Sequence, residues 1–138
     1  IMAASIWMNP PLTAEIGCRW IDDGTADRMI VCKRQAAEKR MAILAEKLAG
    51  YQLHSRRGSL HGWLHLPPPW TGESFARQAA AMGVQVIPSA NFSTGGRQHV
   101  EAVRICIGPP NSEAQIVRGA KILAAILAGP AVRGEPFM

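Results

Sequence analysis

The hydrophobic period of this chain changes twice, and each change restricts the fold. Up to Ala49 the apolar residues recur at helical spacing: Leu12, Ile16, Trp20 and Ile21, then Ile30, Ala37, Met41, Leu44 and Leu48. Beyond Gly50 the period shortens to two. In "LHGWLHL", Leu60, Gly62, Leu64 and Leu66 fall on one side, with His61, Trp63 and His65 on the other. In "AVRICIG", Val103, Ile105 and Ile107 alternate around Arg104. The helical period returns with Ile116, Ala120, Leu123 and Leu127. Strands this close in sequence, mixed with helices, predict an α+β fold. It is a small, mostly antiparallel sheet with helices packed on one face, preceded by two helices.

The punctuation between these segments sharpens the prediction. Asn9 can cap the first helix with Pro10 in its first position, where a missing N–H costs nothing. "DDGT" breaks it. Thr25 is the expected cap of a second helix that runs to Ala49 and stops at Gly50, with Asp27 favourable at its positive end. "YQLHS" reads as a short strand, "RRGS" as a turn and "PPP" as a strand stop. Thr71 caps "GESFARQAAAMG", a short helix carrying Phe75, Ala79 and Met82. "VQVIP" is a brief strand and "SANFSTGGRQH" an irregular loop. Ser112 caps the last helix, with Glu113 in its first turn, and "GPAVRGEPFM" is a loose end.

Composition then excludes several classes. Hydrophobic residues make up 48% of the 138 and charged residues 18%, enough apolar material for a core and too little charge for a disordered chain. The longest apolar runs fall short of the ~20 residues of a membrane span. No basic segment precedes an apolar stretch at the N-terminus, so no signal peptide is expected and the location expected is cytoplasmic. The first residue is Ile rather than Met, which points to a piece of a longer protein. A net charge of +5 can mean nucleic acid, anionic lipid or acidic ligands. In "CKRQAAEKRMAILAEK", however, basic residues alternate with Glu38 and Glu46, as on a solvated helix face laced with i,i+4 pairs. Cys18, Cys32 and Cys106 are odd in number and widely spaced. They are expected to be free thiols in a reducing compartment, each in an apolar stretch as a small hydrophobe.

Few residues carry chemistry. His61 and His65 share a strand face and could begin a metal site, but no third ligand stands at motif spacing, so no metal is expected. HExxH, GxSxG, Walker and GxGxxG patterns are absent. "STGGR" at 93–97 is either a small anion-binding nest or a plain flexible loop. Arg104 projects from the strand face opposite Val103, Ile105 and Ile107, and its guanidinium cannot be neutralised by burial. It is therefore an arginine facing water, a partner of Glu101 or Glu73, or a bidentate clamp on a ligand carboxylate held by a rigid strand.

The stretch "GWLHLPPPWTGESFARQAAAMGVQVIPSANFSTGG…AVRICIGPPNSEAQIVRGAKILAAIL" resembles the C-terminal small domain of class I/II pyridoxal-phosphate aminotransferases of fold type I. It is most similar to the version in MocR-type regulators of the GntR family, where a winged helix-turn-helix is fused to an aminotransferase-like domain. "PPLTAEIGCRWIDDGTADRMIVCKRQAAEKRMAIL" resembles the helices that connect the large domain to the small one. The resemblance covers about residues 7–128 and implies connecting helices over 1–50, a small domain over 51–129 and a tail over 130–138. It implies that Arg104 binds the α-carboxylate of an amino-acid substrate or effector. It implies that Pro88, Ser89 and Phe92 belong to a loop bordering that ligand, with Ser89 standing where the family motif has glycine. No catalytic or cofactor-binding residue is expected in this chain, because none of Lys33, Lys39, Lys47 and Lys121 matches the Schiff-base motif. Pyridoxal 5'-phosphate, the DNA-binding winged helix and the surfaces of a homodimer are all implied for the parent protein, upstream of Ile1. A true aminotransferase without a winged helix is the alternative parent, and an unrelated α+β interaction module is a third reading.

Overall fold

Residues 10–94 and 100–129 are described by the structure, a computed structural model. The first helix, α1 (Pro11–Asp22), begins one residue later than expected. The Pro10 carbonyl accepts hydrogen bonds from the N–H groups of Thr13 and Ala14, at 3.0 and 3.2 Å. Pro10 is thus the cap, and Asn9 lies outside the described residues. Gly24, at φ +73°, turns the chain into α2 (Thr25–Lys47). Thr25 is the first helical residue and not the cap. Its N–H donates to Asp23 Oδ1 at 2.8 Å, so the carboxylate of Asp23 does the capping. Hydrogen bonds from Thr25 hold the Asp23 carboxyl below its usual pKa.

The chain divides into two compact units, residues 1–36 and 37–138. In the first, α1 buries no side chain, and Leu12, Ile16, Trp20 and Ile21 are exposed although they keep helical spacing. Ile30, expected on the apolar stripe of α2, is 47% exposed, because nothing among the described residues of that unit covers this stretch of the stripe.

In the second unit the stripe is covered. Ala37, Leu44 and Leu48 are buried and Met41 is half-buried. In place of the i,i+4 pairs expected along this helix, Glu46 pairs with its neighbour Lys47, and Glu38 and Lys39 reach other elements. Glu38 accepts from Arg57 at 2.8 Å, which raises the Arg57 pKa, and Lys39 pairs with Glu113 at 2.8 Å. Gly50, at φ +94°, follows the last turn, and the chain enters the sheet. Strands β1 (Leu53–Ser55) and β2 (His61–His65) form a hairpin whose turn contains Gly58 at φ +71°. Leu60, expected inward, has an exposed side chain; its carbonyl accepts the Ile107 N–H at 2.9 Å.

Helix α3 (Gly72–Ala81) opens with a capping box. Thr71 Oγ1 accepts the Ser74 N–H and Ser74 Oγ accepts the Thr71 N–H, both at 3.1 Å. It closes with a Schellman motif around Gly83 (φ +82°). The Val84 N–H reaches the Ala79 carbonyl at 2.8 Å and the Gly83 N–H reaches Ala80 at 2.9 Å. Met82, expected within the helix, thereby falls in the turn beyond it and is 47% exposed. The same turn uses up Val84, so the strand expected over "VQVIP" shrinks to β3 (Ile87–Pro88). A 3₁₀ turn, Ser89–Phe92, follows, then β4 (Ala102–Cys106) and α4 (Glu113–Ala128). Ser112 Oγ accepts the Gln115 N–H at 3.4 Å, and all four residues of the expected stripe of α4 are buried.

The sheet is antiparallel throughout, in the order β1-β2-β4-β3. Leu64, Val103, Ile105 and Ile107 from one face join Phe75, Ala79, Ile116, Ala120 and Leu123 of α3 and α4, and Leu44 and Leu48, in one hydrophobic cluster. Gly62 leaves room on that face: a Cβ there would lie 3.1 Å from Leu53 Cδ1 and 3.5 Å from Met41. This is the α+β arrangement expected, with helices on one face. No described helix is long and apolar enough to cross a membrane. The cysteines do not behave as buried hydrophobes. Cys18, Cys32 and Cys106 are free and exposed, Cys106 because alternation along β4 turns it away from Ile105 and Ile107.

Candidate functional site

The other face of the sheet carries the unusual side chains. Register places Trp63 of β2 directly opposite Arg104 of β4, with His54 of β1 beyond Trp63 and Ile87 of β3 beyond Arg104. His61 pairs with Cys106 and His65 with Ala102 in the same ladder. His54 and His65 meet edge to face at 4.9 Å. Among the described residues no group of three or more His, Cys, Asp or Glu side chains is placed to hold a metal ion.

Arg104 is half-buried here. Its Cζ lies 4.5 Å from the centroid of the Phe92 ring, within cation–π range. Its Nε is buried and has no hydrogen-bond partner. No ion pair among the described residues includes it. Neither acid named as a partner in the sequence takes that role. Glu101 Oε2 accepts the Gly72 N–H at 2.6 Å and so serves the start of α3, and Glu73 is exposed in the first turn of the same helix. A guanidinium is always charged, and a buried donor without a partner costs about 1–3 kcal/mol. A guanidinium offers a planar fork of donors that matches the geometry of a carboxylate.

Of the loop residues singled out in the sequence, Phe92 is the one in contact with Arg104. Pro88 in β3 pairs with Val103. Ser89 Oγ donates to the Val100 carbonyl at 2.7 Å, tying the turn to the approach of β4. Phe92 ends the turn beneath the guanidinium. Residues 95–97 of the "STGGR" stretch lie outside the described residues. Sequence reasoning missed Trp63, whose ring meets Phe92 edge-on at 5.4 Å and 81°. A cavity of about 300 Å³ opens beside the two rings, lined also by His65, Ser89 and Ala102.

No protein-family model matches the chain. Over 117 residues it is 29% identical to an uncharacterized HTH-type transcriptional regulator, YdeF, of Bacillus subtilis (strain 168). The match covers 85% of this chain and 25% of that protein, so the chain spans about a quarter of the length of its curated relative. Its fold is similar to that of an archaeal alanine:glyoxylate aminotransferase, at a TM-score of 0.76 and 20% identity over 91% of this chain and 32% of that one. It is also similar to LysN, an α-aminoadipate aminotransferase from Thermus thermophilus complexed with N-(5'-phosphopyridoxyl)-L-leucine, at 0.74 and 17% over 92% and 33%. The lysines here do not fit a phosphopyridoxyl group. Lys39 and Lys47 pair with Glu113 and Glu46 on helix faces, and Lys33 and Lys121 are exposed. The four-stranded sheet with helices on one face is thus the fold that these aminotransferases carry over about a third of their length.

Proposed function

We propose that this chain is the C-terminal part of the effector-sensing, aminotransferase-like domain of a MocR-type regulator of the GntR family, and that Arg104 binds the carboxylate of its amino-acid effector. The observation that carries the proposal is Arg104 itself: a strand-borne guanidinium resting on Phe92, its Nε buried without a partner and no carboxylate among the described residues paired with it. A transcriptional-regulator relative and an aminotransferase fold in one chain support the regulator reading. Pro88, Ser89 and Phe92 border the ligand. Pyridoxal 5'-phosphate, the DNA-binding winged helix and the homodimer surfaces belong to the part of the parent outside this chain. Effector binding acts by stronger contacts in one of two arrangements of the domain, which shifts the population that binds DNA.

A second reading, a true aminotransferase acting on an amino acid, is favoured by the solved neighbours being aminotransferases. In that parent Arg104 orients the substrate by the same carboxylate. One experiment tests both. In the full-length parent, Arg104→Ala is expected to abolish the amino-acid-dependent change in DNA binding and to leave cofactor absorbance intact. An unchanged response overturns the role of Arg104. Turnover of an amino acid by a parent that does not bind DNA establishes the second reading in place of the first.

A further inference from the structure

Phe92 is a weak support by itself. It ends a four-residue turn, is 43% exposed, and a surface phenylalanine is free to rotate. For its face to stay under the guanidinium, something must fix the ring. Trp63 packs against it: the two rings meet at 5.4 Å and 81°, the T-shaped geometry in which a ring edge meets a ring face. The backbone of Trp63 is held in the middle of β2, between His54 of β1 and Arg104 of β4. The tie from Ser89 to Val100 holds the turn from the other side.

We infer that Trp63 is a positioning residue for Arg104. It acts through Phe92 and sets the guanidinium plane so that the outer nitrogens face an incoming carboxylate. The inference rests on the carboxylate role proposed above for its ligand, while the ring stack stands on geometry alone. It also gives Trp63 a reason to be on the uncovered face of the sheet. There a large ring gains little from burial but fixes a neighbour.

The test is arginine side-chain NMR on the 138-residue chain, with acetate as the probe. In the wild type the Arg104 Nε–H signal is expected upfield of the exposed arginines, because it lies against the face of Phe92. Trp63→Leu should move it back toward them and weaken acetate binding about three- to tenfold, the range for losing one edge-to-face pair. Trp63→Phe, which restores a ring edge, should recover both. Trp63→Thr is the second variant, since a β-branched residue suits the strand and has no edge to offer. If the signal stays upfield in both Trp63→Leu and Trp63→Thr, the positioning role is wrong. If it moves but acetate perturbs no Arg104 signal even in the wild type, the positioning role holds and the carboxylate reading falls.

Discussion

The two faces of the sheet are built on opposite principles. One face, with Leu64, Val103, Ile105 and Ile107, lies under helices in a cluster that is wholly hydrophobic; no polar or charged residue among those described is buried. The other face carries Trp63, Arg104, Cys106 and three histidines, with Phe92 of the Ser89–Phe92 turn against Arg104. Because successive side chains point to opposite faces, residues one position apart on β4 belong to different regimes. Val103 and Ile105 belong to the buried cluster, while Arg104 between them belongs to the face for which ligand binding is proposed. Stability and ligand chemistry can therefore be changed almost independently, and substitutions test how complete the separation is.

The largest effect is expected on the covered side. Phe75→Ala removes a fully buried ring and should cost about 3–5 kcal/mol in denaturant unfolding. Gly72→Ala should follow at about 1–3 kcal/mol. The new Cβ would lie 3.1 Å from the Ala102 carbonyl, a backbone atom that cannot turn aside, and the same melts would show it. On the open face the sign changes. Arg104→Met removes a charge whose Nε is buried and unpaired, against the loss of one cation–π contact. Its stability should stay within about 1 kcal/mol of wild type, on the stabilising side, while acetate binding disappears. A loss above about 2 kcal/mol would show that the open face is packed like the core, and would break the comparison. Smallest of all is Cys106→Ser, within about 0.5 kcal/mol, with the thiol reacting freely with a disulfide reagent in the native wild type.

Much of this was legible in the sequence where one local rule acted alone. The stripe of α4, the Thr71 cap and the alternation that turns Arg104 away from Ile105 all follow from period and side-chain type. The reading failed where two rules competed. "DDGT" offers two capping side chains, and the positive φ of Gly24 decided for Asp23 over Thr25. "VQVIP" has a strand's composition, but the Schellman turn claims Val84 first, and β3 pairs only with Val103 and Arg104. Ile30 obeys the helical period and is exposed, since period shows which face wants cover and not whether cover is there. The pairing of Trp63 with Arg104 depends on strand register across some forty residues, which no local pattern records. Phe92 entered the sequence reading through a family resemblance, and its position beneath Arg104 is a matter of three dimensions.

The strand that bears Arg104 is moored at both ends by side chains outside the ladder. At its start Glu101 reaches the Gly72 N–H. Past its end Arg40 donates to the carbonyls of Ile107 and Gly108, at 2.9 and 3.2 Å. Sliding β4 by one residue would exchange its faces, driving the guanidinium into the aliphatic cluster and Ile105 into water. Both moorings would have to release before that could happen. For a five-residue strand, short enough to be misaligned easily, they act as an error check on alignment, and they keep the charge on the side of the sheet away from the aliphatic cluster.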